Sequence, residues 1–190
     1  MRVNLLGTSN VFDAAMKLET CERVIFISTS EVFSSNAYHV GEEADAALGT
    51  MGEIRWVYTA SKLAGEHYAF AAHKEFGLPI VVLRPFNVFG PGQFGENVLQ
   101  TFIRMALNNE NIQIRGDGDQ IRSWIYIDDM VDIILLAMSN TEAIGKSFNV
   151  GNPRGTVTIR TLADMIVKLV GSETQITHTQ DPIEAESRSP

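Results

Sequence analysis

Two short runs of apolar, mostly β-branched residues place the strongest constraint on this fold. VIFI (24–27) and IVVL (80–83) are each continuously apolar. Strands that bury both faces have this pattern, and they occur in parallel sheets covered by helices. Between them, residues 57–76 carry apolar side chains at helical spacing, and Gly77 follows as a helix terminator. The order strand–helix–strand predicts an α/β fold with a parallel sheet and right-handed crossovers.

The flanking segments continue this alternation. Residues 3–18 have helical periodicity ahead of the first strand, whereas residues 34–54 are polar and small and predict a surface loop. The segment NVFGPGQFG (87–95) is rich in Gly and Pro, which favours a boundary between two lobes.

The C-terminal half predicts a second mixture of helices and strands. Helices are expected over residues 97–109 and 156–171, the latter capped by Thr158 and ended by Gly171, and another from Asp128 or Asp129 to about Met138. Strands are expected at residues 112–115, 123–127 and 147–151. The tail QDPIEAESRSP (180–190) predicts no element.

Composition excludes several classes of function. The formal net charge is −8, and the 15 Lys and Arg residues form no basic run, so no nucleic-acid partner is expected. One cysteine allows no intramolecular disulfide, and four scattered histidines lack ligand spacing, so no metal is expected. No apolar run reaches membrane length and no secretory leader is recognisable, which predicts a cytoplasmic protein without a membrane partner.

The segment WVYTASKLAGEH (56–67) contains the clearest chemical signal. Tyr58 and Lys62 are four residues apart in a predicted helix, so both side chains project from one face. A fixed ammonium group stabilises a phenolate, so Lys62 is expected to lower the pKa of Tyr58 and make it a general acid/base. The alternative is a tyrosine packed on a core helix beside a solvated lysine.

Six segments, in order along the chain, resemble the extended short-chain dehydrogenase/reductases, specifically the NAD-dependent epimerase/dehydratase family that acts on nucleotide sugars. They are NLLGTSNV (4–11), FISTSEVF (26–33), YTASK (58–62), LRPFNVFGPGQ (83–93), IRSWIYIDDM (121–130) and the weaker FNVGN (148–152). The resemblance implies NAD as cofactor and a nucleotide-diphosphate sugar as substrate.

The resemblance also implies roles for individual residues. Tyr58 and Lys62 match the catalytic pair, with Lys62 also reaching the nicotinamide ribose, and Thr29 matches a catalytic hydroxyl at a strand end. Further cofactor contacts are implied for Asn4, Ser28 and Pro85. Substrate contacts are implied for Ser30, Asn87, Asn97, Val98, Arg122 and Arg188, the two arginines matching diphosphate ligands.

Glu31 distinguishes between subfamilies. Its Thr-Ser-Glu context is similar to UDP-glucuronate decarboxylases and some sugar 4,6-dehydratases, in which a glutamate acts as an additional base, whereas UDP-glucose 4-epimerases usually lack an acid there. A carboxylate needs substrate-side geometry to act, so a surface glutamate that only bonds the following loop is the alternative.

The Gly-rich turn of the family's cofactor site is missing from the sequence. GPGQFG (90–95) and GDGDQ (116–120) come late and are expected to lack the preceding strand and following helix that a dinucleotide site requires. By resemblance, the chain is the C-terminal half of a doubly wound (Rossmann) parallel sheet plus part of a small α/β substrate lobe. Residues 1–90 would be a partial NAD-binding domain and residues 91–190 mainly a substrate lobe, with 121–152 interleaved back to the first sheet.

Two functions remain open at this stage. One is an NAD-dependent nucleotide-sugar epimerase, dehydratase or decarboxylase that oxidises the sugar transiently at C4. The other is a truncated, non-catalytic module that does not bind NAD by itself. An incomplete sheet would expose an edge and apolar helix faces, which predicts a homodimer or domain-swapped oligomer through the helices at 3–18 and 57–76.

Overall fold

The computed structural model describes residues 2–33, 40–95 and 97–179. Within this part of the chain, the residues form two compact units. The first comprises those within Met1–Gly90 and Ile125–Gly151, and the second those within Pro91–Trp124 and Asn152–Pro190.

The first unit is built on a parallel three-stranded sheet. Its strands are β1 (Val24–Ile27), β2 (Ile80–Pro85) and, as numbered in chain order, β6 (Ser147–Val150), in the order β1–β2–β6. Both pairings are parallel, with Val24 opposite Ile80 and Val82 opposite Ser147. The parallel sheet predicted from the two apolar runs is therefore confirmed.

Helices cover both faces of this sheet. A π-helical segment (Arg2–Gly7) leads into α1 (Thr8–Met16), which packs with α2 (Trp56–Phe76) on one face. Ile80 and Val82 point into that core with Phe12 and Phe26, whereas the alternate β2 residues pack on the other face with α4 (Ile127–Ser139). Because successive side chains of a strand point to opposite faces, a strand covered on both faces must be apolar throughout.

A glycine lets α2 approach β1 closely. A Cβ at Gly65 would lie 2.7 Å from Cζ of Phe26, a ring that is 6% exposed. Residues such as Lys62, one turn earlier on the same helix, are thereby brought down towards the strand. Helix α2 ends at Gly77, which has φ of 73° as a left-handed C-cap.

The second unit contains two further helices and shorter strands. Helix α3 (Val98–Leu107) packs against α5 (Ile159–Val170), burying Phe102, Leu162 and Ile166. Strand β4 (Ile112–Arg115) pairs in parallel with β8 (Ile176–Thr179). Residues 121–123 of β5 (Ile121–Tyr126) pair antiparallel with β7 (Thr156–Thr158).

Several predicted boundaries differ from the structure. Asp128 and Asp129 do not cap α4: Tyr126 is its N-cap, and the two aspartates lie in the first turn, where carboxylates favour the helix dipole. Thr158 and Gly171 do cap α5, as predicted, and the Thr158 hydroxyl accepts the Thr161 backbone N–H at 3.0 Å.

The secondary structure that flanks the glycine-rich segment 90–95 also differs from the prediction. A strand, β3 (Asn87–Phe89), does precede it and α3 does follow it, so the expectation that both are missing is wrong. However, β3 is not a member of the parallel β1–β2–β6 sheet. The segment therefore does not open a strand–turn–helix unit of that sheet, which a dinucleotide site of the doubly wound type requires.

Among the residues that the structure describes, no helix has both the length and the hydrophobicity needed to cross a membrane. The same part of the chain contains no cluster of three or more His, Cys, Asp or Glu side chains that could hold a metal ion.

Candidate active site

The carboxyl end of β1 carries two buried hydroxyl residues. Ser28 and Thr29 follow the strand directly and are 2% and 7% exposed. The Ser28 backbone N–H donates to the carbonyl of Leu83 at 2.7 Å, which extends the β1–β2 ladder by one step. Because β1 and β2 are parallel, their carboxyl ends form one edge, where open α/β sheets bind ligands.

Helix α2 places Lys62 at this same edge. Its Nζ donates to the carbonyl oxygen of Ile27, the last residue of β1, at 2.7 Å. The ammonium group also lies 5.4 Å from the Phe26 ring centre and 5.9 Å from the Tyr58 ring centre. Partial burial lowers the pKa of Lys62 below its usual value. Lys62 is thus a fixed cation rather than a freely solvated one.

Tyr58 lies one turn before Lys62 and remains 42% exposed. The neighbouring Thr29 side chain lowers the pKa of Tyr58. Partial burial and then the Glu31 carboxylate act in the opposite direction and outweigh it, so the pKa of Tyr58 is raised above 10.0. The expected lowering by Lys62 is therefore not found: burial and Glu31 outweigh the one group that lowers this pKa, Thr29.

Glu31 is held beside the tyrosine. It lies in a 3₁₀ turn (Ser30–Phe33), and its Oε2 accepts the hydroxyl of Thr59 at 3.1 Å. Its backbone N–H donates to Oγ1 of Thr29 at 3.3 Å. The turn after β1 and the first turn of α2 therefore converge on one small group of acid, base and hydroxyl side chains: Thr29, Glu31, Tyr58 and Lys62.

One observation bears on whether this edge fits a cofactor such as NAD. Ser28 Oγ is buried without a hydrogen-bond partner among the described residues, although buried hydroxyl groups are almost always paired. A ligand rich in hydroxyl and amide groups would satisfy it. Lys62 and Ser28 are hence residues that fit a bound nicotinamide–ribose group.

The remaining residues implied for cofactor and substrate lie in several places. In the first unit, Asn4 is part of the π-helical segment, Ser30 opens the 3₁₀ turn, Pro85 ends β2 and Asn87 begins β3. Their positions leave their roles as predictions.

In the second unit, Asn97 is the N-cap of α3, and its Oδ1 accepts the Gln100 N–H at 3.0 Å. Val98 begins that helix, and the exposed Arg122 donates to the Ile121 carbonyl and to the Gln120 side chain. Arg188 lies outside the described residues.

A buried ion pair supports the site and was not predicted. Arg84 in β2 donates to both carboxylate oxygens of Glu66 in α2, at 2.6–3.1 Å, and their side chains are 10% and 3% exposed. Arg84 also donates to the Glu42 carbonyl at 2.9 Å. The available signal was a single charged residue at the end of the apolar run IVVL and a glutamate one turn beyond Lys62. Thr59 was missed as well, since a threonine in a helix carries no distinctive pattern.

The fold and the site together define a class. In this chain a parallel sheet is covered by helices, one of those helices carries a Tyr–Lys pair, and a threonine lies at the adjacent strand end. This is the arrangement of a short-chain dehydrogenase/reductase-type enzyme. The family model of the NAD dependent epimerase/dehydratase family matches residues 1–151. The chain belongs to that family.

Individual relatives share this membership. The chain is 32% identical over 182 residues to UDP-N-acetyl-alpha-D-glucosaminuronate decarboxylase of Bacillus cytotoxicus, covering 94% of this chain and 55% of the relative. It is 32% identical over 165 residues to dTDP-D-glucose 4,6-dehydratase of Dictyostelium discoideum, covering 78% and 37%.

Solved structures of related proteins have folds similar to that of this chain. UDP-glucuronic acid 4-epimerase from Bacillus cereus, in complex with UDP-glucuronic acid and NAD, has a TM-score of 0.83 at 28% identity, covering 94% of this chain and 55% of that one. UDP-glucose 4-epimerase of Thermotoga maritima, with UDP-glucose, has a TM-score of 0.82 at 27% identity, covering 95% and 57%. The chain thus spans about half the length of the relatives it matches.

Proposed function

We propose that this chain carries the acid–base half of an NAD-dependent enzyme that epimerises, dehydrates or decarboxylates a nucleotide-diphosphate sugar through transient oxidation at C4. The observation that supports this most is the convergence of Thr29, Tyr58 and Lys62 at the carboxyl end of β1. Bound NAD would supply the hydride acceptor. Family members described as decarboxylase, dehydratase and epimerase support the class of substrate.

Tyr58 would exchange a proton with the sugar C4 hydroxyl. A raised pKa keeps the phenol protonated in the chain alone, so it cannot act as a base in that state. A positive charge added at this edge by a ligand would lower that pKa, because opposite charges stabilise the phenolate. Cofactor binding and activation of the base would thereby be coupled, with Thr29 donating to the phenolate oxygen.

Glu31 favours dehydration or decarboxylation over simple epimerisation. Its carboxylate is close enough to Tyr58 to raise the pKa of the phenol, so a second proton-transfer group lies beside the first. Removing a proton or carboxylate from a C4-oxidised sugar requires chemistry at a second position, whereas epimerisation at C4 requires only one proton carrier.

NAD binding tests this proposal against the alternative of a non-catalytic module. A thermal-shift titration with NAD should raise the melting temperature, since a ligand that binds only the folded state stabilises it. Lys62→Met should weaken the shift, and the exposed Lys168→Met should leave it unchanged. The absence of any shift at millimolar NAD would contradict cofactor binding by this chain and support the module.

Self-association is proposed on separate grounds. Val3, Leu6 and Val11 in the first helical segments are 82%, 57% and 59% exposed, an apolar surface typical of an interface. We propose a homodimer or domain-swapped oligomer through the helices at 3–18 and 57–76. Light scattering should give a mass above that of one chain, and Val11→Glu should reduce it; a monomeric wild-type chain would refute the proposal.

A further inference from the structure

We infer that Thr59 is a positioning residue that fixes the carboxylate of Glu31 beside Tyr58, so that the second acid–base group of the site is preorganised by the helix that carries the first. This inference rests on the proposed function, in which Glu31 and Tyr58 both transfer protons.

The Thr59 hydroxyl is positioned to hold the Glu31 carboxylate. Its Oγ1 donates to Oε2 of Glu31 at 3.1 Å, across 28 residues of sequence. Thr59 is only 1% exposed, whereas Glu31 is exposed. A buried donor has few alternative partners, so a bond from it holds the carboxylate more firmly than solvent would.

The position of Thr59 in the chain couples Glu31 to Tyr58. It directly follows Tyr58 in α2, so the phenol and the donor to Glu31 share one rigid backbone segment. A shift of α2 would move both together. On the opposite side, Thr29 lies beside Tyr58, and its hydroxyl accepts the Glu31 backbone N–H. Glu31 is thereby fixed through its backbone by the strand end and through its carboxylate by the helix.

Among the described residues, three charged or polar side chains act on Tyr58 from different elements. Glu31 faces it from the 3₁₀ turn, Thr29 from the end of β1 and Lys62 from its own helix. Of these three, the Glu31 carboxylate is the one that Thr59 hydrogen-bonds. Removing the Thr59 hydroxyl should therefore release Glu31 towards solvent without changing the other neighbours.

The test is the titration of Tyr58, which needs neither cofactor nor substrate. Tyrosine is labelled with ¹³C at Cζ in the full chain, the Tyr58 resonance is assigned with Tyr58→Phe, and its pKa is measured by NMR. Glu31→Gln should lower the pKa of Tyr58, since it removes a carboxylate that raises it. Thr59→Val, which keeps the volume, should lower it in the same direction, and Thr59→Ser, which keeps the hydroxyl, should restore the wild-type value.

The double variant sharpens the result. Thr59→Val combined with Glu31→Gln should titrate like Glu31→Gln alone, because Thr59 acts only through the carboxylate. The inference is overturned if Thr59→Val titrates like wild type while Glu31→Gln shifts, or if Glu31→Gln causes no shift. Circular dichroism on each variant separates these outcomes from unfolding. If the chain binds no NAD, the proposed function is refuted, but the titration of Tyr58 still tests the role of Thr59.

Discussion

At the scale of single residues, the structure revises the chemistry of the Tyr–Lys pair. Spacing alone suggested that Lys62 would lower the pKa of Tyr58. The ammonium group instead donates to the Ile27 carbonyl, and burial with Glu31 raises the pKa of the phenol. Residue types and spacing can therefore identify the pair, but they cannot give the sign of the pKa shift. That sign depends first on the burial of Tyr58 in the folded chain and then on the Glu31 carboxylate, 27 positions earlier in the chain.

The titration of this pair is the first prediction. In the chain alone, Tyr58 should stay protonated beyond pH 10.0, and Lys62 should lose its proton below pH 10.5. A phenol with a raised folded-state pKa contributes stability below its unfolded pKa and loses that contribution as pH rises through the folded value. For Lys62 the effect is reversed, because its folded-state pKa lies below the unfolded one. Its contribution to stability is present above the unfolded pKa and is lost as the pH falls through the folded-state pKa. NMR titration of labelled Tyr58 and Lys62 measures both; a tyrosine pKa below 10.0 would contradict the structure.

The second prediction concerns the buried Arg84–Glu66 pair. Glu66→Gln should lower the free energy of unfolding by about 3 kcal/mol, because it leaves the Arg84 cation buried and only partly compensated. Urea unfolding measures the loss. Glu53→Gln is a matched control in the same unit, since the Arg55–Glu53 pair is 57% and 40% exposed, and it should cost less than about 1 kcal/mol. Equal losses for the two variants would contradict the assigned role of burial.

At the scale of elements, the packing of α2 on β1 determines where the site forms. At Gly65 the helix has no side chain, and a Cβ there would meet the Phe26 ring. Lys62 reaches the carbonyl at the end of β1 from the preceding turn. The tightness of this contact therefore sets the distance between the helix that carries Tyr58 and the strand end that carries Thr29.

The third prediction follows from that contact. Gly65→Ala should destabilise the chain by about 1 kcal/mol, because overpacking against Phe26 costs about 1–3 kcal/mol and exceeds the gain of up to about 1 kcal/mol in helix propensity. Chemical denaturation of the variant measures this. In a Phe26→Leu background, which vacates the space, the same substitution should be neutral or stabilising; an equal cost in both backgrounds would show that the ring is not the obstacle.

Elements with strong local patterns were predictable and others were not. β1, β2 and α2 follow from continuous apolar runs and a helical period, since both faces of this sheet are covered. β8 was missed because ITHT (176–179) is short and half polar, and only its parallel pairing with β4 makes it a strand. The α4 cap was misplaced because β5 continues through Tyr126 directly into the helix.

The residues of the site were likewise only partly predictable from the sequence. Tyr58, Lys62 and Thr29 could be found from motifs in order along the chain. Thr59 and the Glu66–Arg84 pair could not, because their partners are distant in sequence and become visible only when α2 packs on the sheet.

At the scale of the whole molecule, the chain belongs to the NAD dependent epimerase/dehydratase family and spans about half the length of its relatives. The four side chains of the candidate site lie within one compact unit, in the segment that directly follows β1 and in α2. The convergence of Thr29, Glu31, Tyr58 and Lys62 and a partial match in length together raise the question of whether this chain turns over a nucleotide sugar, as proposed.

Turnover is the most direct test of that question. The chain is incubated with NAD and either UDP-glucose or UDP-glucuronate, and products are identified by mass spectrometry. The account predicts a dehydrated or decarboxylated product whose rate falls on the order of 10²–10⁴-fold in Tyr58→Phe, the usual contribution of a general acid–base group. Product formed at an equal rate by Tyr58→Phe, or no product from wild type at saturating NAD, would contradict it.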